Sequence, residues 1–102
     1  MTTKFFTFRQ NNSGGSLIID NNRGIGKYVI IEAQNEVLAN EKAEKIGIYF
    51  DGCINNIDCL CCGDRWNRVL FVDGENKPDL FWNSSEYKSF IHYSDNRIEL
   101  IK

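Results

Sequence analysis

No run of lysine or arginine occurs in this 102-residue sequence, no apolar stretch approaches a membrane span, and proline, methionine and histidine appear once each. The first absence disfavours nucleic acid as a partner, because a phosphate backbone is met by clustered cations. The net charge of −2 is equally too small for a mimic of DNA. The second absence argues against a spanning helix, which needs about 20 consecutive apolar residues, so no membrane partner is expected. The N-terminus lacks the basic segment and apolar run of a signal peptide, and a cytoplasmic location is the expectation. With His92 as the one histidine, nucleophilic triads have a single candidate base, and a histidine on a partly exposed strand face is the simpler reading. The glycine-lysine-serine/threonine ending of a Walker A loop is missing, and Gly24 and Gly26 precede a strand where a phosphate loop precedes a helix. No enzyme is expected.

What is present suits one ordinary globular domain over residues 1–102, with 42% apolar and 25% charged residues. Aromatic residues alternate over 4–9, which predicts a strand, and β-branched residues over 27–33 predict another. Residues 17–20 read as a short strand or bulged edge, and Asn21, Asn22, Arg23 and Gly24 as a turn. Asn35 has the chemistry of a helix N-cap, Glu36 suits the first turn, and Gly47 suits the residue after the last. Between them Ala39, Ala43 and Ile46, with Leu38 beside them, form an apolar stripe, and the small alanines allow close approach to strands. Ile48, Tyr49 and Phe50 re-enter the core. A further strand is predicted over 69–72, and a C-terminal hairpin over 89–93 and 97–101. The order implies an α+β fold: a small antiparallel or mixed sheet, one main helix packed on it and a cysteine-rich loop.

All four cysteines, Cys53, Cys59, Cys61 and Cys62, fall within ten residues. Cys59 and Cys62 have the Cys-x-x-Cys-Gly spacing that lets two thiolates face one metal. With Cys53, and with Cys61, His92 or a carboxylate as the fourth ligand, a structural zinc site is one reading. Reduced thiols are the other, and both stay open, since disulfides are disfavoured in a reducing compartment. A redox role would need a helix N-terminus after the motif, and none is evident. Asp64, Arg65 and Trp66 read as an ion pair beside a core tryptophan in preference to a ligand seat.

Gln10, Asn11, Asn12, Ser13, Gly14, Gly15 and Ser16 form a polar loop whose amides, hydroxyls and main-chain NH groups could cradle a phosphate, with Arg9 supplying charge. A plain flexible hairpin loop is the competing reading. The candidate ligand set is therefore Arg9 through Ser16, with Asp51, Arg65 and Trp66 as neighbours.

Residues 8–16, residues 28–33 with Ala39 and Asn40, Tyr49 through Gly52, and Asp58 through Trp66 together resemble a family of short proteins encoded by tailed bacteriophages. The resemblance spans residues 4–70 and brings no activity with it. It implies a setting: a small phage accessory protein in the host bacterial cytosol, of the kind that often modifies or blocks a host system. The segment after Asp73 is expected to be this chain's own elaboration. The first expectation is a non-enzymatic phage accessory protein that binds and blocks a host component, an anti-defence protein binding a host protein or a nucleotide messenger being one form of it, with self-association as a homo-oligomer left open. The alternatives are a zinc-stapled nucleic-acid-binding module and a cysteine-nucleophile enzyme.

Overall fold

The computed structural model describes residues 2–11, 17–58, 63–70, 74–77 and 89–101. Its elements are β1 (Lys4–Arg9), β2 (Tyr28–Ala33), α1 (Glu36–Ile46), β3 (Ser89–His92) and β4 (Ile98–Ile101). The sheet order follows the chain, β1-β2-β3-β4, with β2 and β3 parallel and the two outer pairs antiparallel. The fold is thus α+β, a mixed four-stranded sheet with one helix.

Alternation along the strands makes two apolar faces. Phe6 and Phe8 of β1 and Val29, Ile31 and Ala33 of β2 meet Ala39 and Ala43 of the helix, together with Ile48, Phe50 and Trp66. Ile30, Ile91 and Ile101 occupy the opposite face, with Phe5 and Tyr93, themselves edge to face, against them. Both alanines of the stripe are fully buried, as their small size requires. Leu38, expected beside the stripe, is 40% exposed.

The helix ends form as the sequence implies. The Asn35 side chain accepts the Leu38 N–H at 2.9 Å from an extended backbone. Gly47 takes the left-handed conformation (φ 112°), and its N–H donates to the carbonyls of Ala43 and Glu44.

Neither of two further expected strands forms over its described residues, 17–20 and 69–70, and the cause is the same for each. The main chain of Ile18 bonds to the side-chain amide of Gln10, its N–H donating to Oε1 at 2.6 Å and its C=O accepting from Nε2 at 2.9 Å. Only an isolated bridge, Asp20 to Ile25, remains of the strand predicted over 17–20. Val69 is held likewise by Asn40 of the helix, at 3.0 Å from its N–H and 2.9 Å from its C=O. A side-chain amide carries the same donor and acceptor as a peptide unit, so one residue stands in for a neighbouring strand. Residues 71–73, which include the remainder of the other predicted strand, lie outside the described residues. No helix among the described residues is long and apolar enough to cross a membrane.

His92 corrects the expectation of a partly exposed histidine. As part of an inner strand it is buried, and Nε2–H donates to the Gly24 C=O at 2.7 Å. Gly24 has φ 72°, and a Cβ there would lie 2.8 Å from the imidazole, so the turn admits glycine alone. Burial lowers the imidazole pKa below 6.5; the Gly24 bond opposes this, and the Lys42 charge adds to it. Below about pH 6.5 the unfolded chain therefore binds a proton that the folded chain refuses, and stability falls as the pH drops. We expect His92→Gln to flatten the fall in urea midpoint between about pH 7 and 5.5. A variant with the same slope as the parent would assign that slope to other groups.

Candidate functional site

The polar loop and the cysteine loop meet at a buried polar cluster. Gln10 is 0% exposed and stands where β1 ends, and Arg65 and Asp58 are nearly as deep. Arg65 Nη1 donates to Gln10 Oε1 at 2.9 Å, and Arg65 Nε donates to the Tyr49 hydroxyl at 3.1 Å. That hydroxyl donates in turn to Asp58 Oδ1 at 2.7 Å, while Asp58 Oδ2 accepts the Arg65 backbone N–H at 2.7 Å. The direct contact of Arg65 Nε with Asp58 is 3.8 Å, so the phenol bridges the ion pair. Burial raises the Tyr49 pKa, with the Asp58 bond adding to it, which keeps the bridging proton in place.

Gln10 uses its whole hydrogen-bonding capacity here. Its Nε2 donates to the carbonyls of Ile18 (2.9 Å) and Gly26 (3.0 Å), and its Oε1 accepts from Ile18 and Arg65. Gln10 and Arg65, both in the expected ligand set, are buried and hydrogen-bonded within the fold. Trp66 belongs to the helix-side core, as the reading of an ion pair beside a core tryptophan implied, but the partner of Arg65 is Asp58. Asp64 serves another purpose: its carboxylate accepts the Cys53 N–H at 2.9 Å.

What the cluster positions is a cleft. Two main-chain joins tie the outer edge of β1 to later residues. The Asn11 N–H donates to the Arg65 C=O at 2.8 Å, and Phe5 and Glu75 exchange bonds at 2.7 and 2.9 Å. Beside these joins lies a cleft of about 430 Å³, lined by Thr7, Phe8, Arg9, Asn11, Asn67, Arg68 and Val69. That volume lies within the range of small-ligand sites, roughly 300–1,000 Å³.

Arg9 is exposed, and its guanidinium forms no hydrogen bond or ion pair among the described residues. Arg68 is held in place by Asp51 at 2.9 Å and lies over the Phe50 ring at 4.8 Å. Asp51 thus touches the site through Arg68. Lys27 adds charge nearby: its amine donates to the Gln10 C=O at 3.0 Å, and burial, then Arg9, lowers its pKa.

Asn12, Ser13, Gly14, Gly15 and Ser16 lie outside the described residues, as do Cys59, Cys61 and Cys62. Cys53 is half-buried. Among the described residues no group of three or more histidine, cysteine or acidic side chains could hold a metal ion. His92, offered as a fourth zinc ligand, has Nε2 occupied by Gly24.

A family model matches residues 3–101. The chain belongs to that family, described as a domain of unknown function (DUF7296). No curated protein and no solved structure matches it. Because the match runs through β3 and β4, the C-terminal hairpin is part of the family's domain and not an elaboration particular to this chain.

Sequence reasoning missed Arg68, Asn67, Tyr49 and Asp58. Tyr49 and Asp58 stand in segments noted for other reasons, and their partnership is set by tertiary contact. Arg68 carried one signal, its position three residues after Arg65 in an otherwise uncharged stretch.

Proposed function

We propose that the chain is a non-enzymatic binding protein whose cleft beside β1 captures a small phosphate-bearing ligand, a nucleotide messenger of a bacterial host, and so blocks the response that messenger carries. One observation carries the reading. Arg9 and Arg68 line the same cleft as Asn11 and Asn67, and the Arg9 guanidinium is unpaired among the described residues. A guanidinium at a concave surface is suited to bidentate contact with phosphate. The resemblance of residues 8–16 to phage proteins supplies the setting, a host bacterial cytosol.

Calorimetric titration of the purified chain with nucleotides tests this. Arg9→Ala is expected to weaken binding at least about tenfold, since a hydrogen bond to a charged group contributes roughly 1.5–3 kcal/mol. Stability should stay within about 0.5 kcal/mol of the parent, as is usual for an exposed side chain. Unchanged affinity in the variant, or a parent that binds no nucleotide, would sink the reading.

A further inference from the structure

The direction of the β1 main chain decides what the cleft presents. The Gln10 N–H donates towards the β2 side, to the Lys27 C=O at 2.7 Å, so even-numbered residues of this strand turn their N–H and C=O groups inwards. Odd-numbered residues turn theirs to the outer edge. Phe5 and Asn11 use that edge to join Glu75 and Arg65. Thr7 and Arg9 lie between them and line the cleft, and their outward main-chain groups have no partner among the described residues.

Resting on the reading of the cleft given above, we propose that this row of main-chain donors and acceptors reads the edge of a nucleobase, so that the ligand is a nucleoside phosphate held by base and phosphate together.

The shape of the cleft favours a base over a peptide. An extended peptide adding to a strand edge must run out past both ends of its partner segment. Here both ends are closed, by Asn11 with Arg65 and by Phe5 with Glu75. A planar base needs no such exit, and its edge carries alternating donors and acceptors of the kind that Thr7 and Arg9 present. Val69 supplies apolar wall for its face, and Arg9 and Arg68 supply charge for its phosphate. Inorganic phosphate would engage the arginines and leave the main-chain groups to water. Sites that hydrogen-bond a substrate edge reject analogues lacking it more sharply than apolar sites do.

The test titrates the full chain calorimetrically with inorganic phosphate, the four common nucleosides and their 5′-monophosphates, and follows amide exchange by NMR. One monophosphate is expected to bind at least about tenfold more tightly than inorganic phosphate and than the other three. Exchange of the Thr7 and Arg9 amides should slow by at least about tenfold when it is bound. Thr7→Pro removes an outward N–H that bonds to no strand among the described residues, a position where proline is tolerated. It should weaken that nucleotide about tenfold and leave inorganic phosphate binding unchanged. If phosphate and all four nucleotides bind alike, or the two amides exchange at the same rate with and without ligand, base recognition is overturned and the anion cleft stands. Binding of none of them overturns both. Should Thr7→Pro fail to fold, amide exchange in the parent decides.

Discussion

Replacing Arg65 by methionine is expected to lower the unfolding free energy by about 3–5 kcal/mol, the usual cost of removing one partner from a buried ion pair. Methionine keeps much of the volume and removes the charge. Asp58, with its side chain 2% exposed, would then hold a carboxylate whose remaining partners are the Tyr49 hydroxyl and the main-chain N–H of residue 65. Gln10 would lose its guanidinium and keep Ile18 and Gly26. Set against a total stability of about 5–15 kcal/mol for a domain, the loss leaves a chain close to unfolding at physiological temperature. Adding Asp58→Asn should recover part of it, because no buried charge is then left alone. Urea unfolding of parent, single and double variants measures all three. A single variant within about 1 kcal/mol of the parent would show that the cluster matters little to stability.

Gly52→Ala should be nearly as costly, at about 3 kcal/mol, although it adds one methyl group. A Cβ on Gly52 would lie 2.0 Å from Asp58 Oδ2, 2.6 Å from its Cγ and 2.9 Å from the Tyr49 ring. The Gly52 C=O also accepts the N–H groups of Ile57 and Asp58, so the backbone cannot retreat without opening that turn. The methyl group can be admitted by moving Asp58, which disturbs the same cluster that Arg65→Met breaks. The two substitutions therefore share one cost, and the double variant should lose clearly less than the sum. Additive losses in the urea midpoints would mean that the turn and the ion pair act independently.

Elements set by near neighbours along the chain are legible in the amino-acid order itself. Alternation over residues 4–9, the β-branched run to Ala33, the asparagine and glycine at the two ends of α1, and the short turn before β4 all form where local chemistry directs them. Residues 17–20 and 69–70 have strand-like composition, yet their partners are single amides on Gln10 and Asn40, and no window of neighbouring residues contains that information. His92 departs from its expected exposure for a related reason. Whether a strand lies inside or at the edge of a sheet depends on its pairing, and β3 pairs on both sides.

The site is legible by halves. Proximity of the polar loop to Arg65 follows from the sequence reading and is seen at Gln10 and Asn11. The cleft does not follow, because its described sides, residues 7–11 and 67–69, are brought together by contacts some 55 to 70 residues apart along the chain.

The Asn40 clasp has a consequence in time. Val69 is gripped by a residue of the helix, and Arg65 and Glu75 bond to the main chain at the two ends of β1, so these contacts rest on elements formed elsewhere. The wall of the cleft is therefore expected to form late in folding, after the sheet and helix that it joins. Weakening the clasp, as in Asn40→Ala, should leave the folding rate nearly untouched and speed unfolding, visible as a shift confined to the unfolding arm of the chevron. A slower folding arm would place the clasp in the nucleus. On this ordering the cleft is expected to open before the sheet and helix, so a ligand that bridges Arg9 and Arg68 would hold it shut.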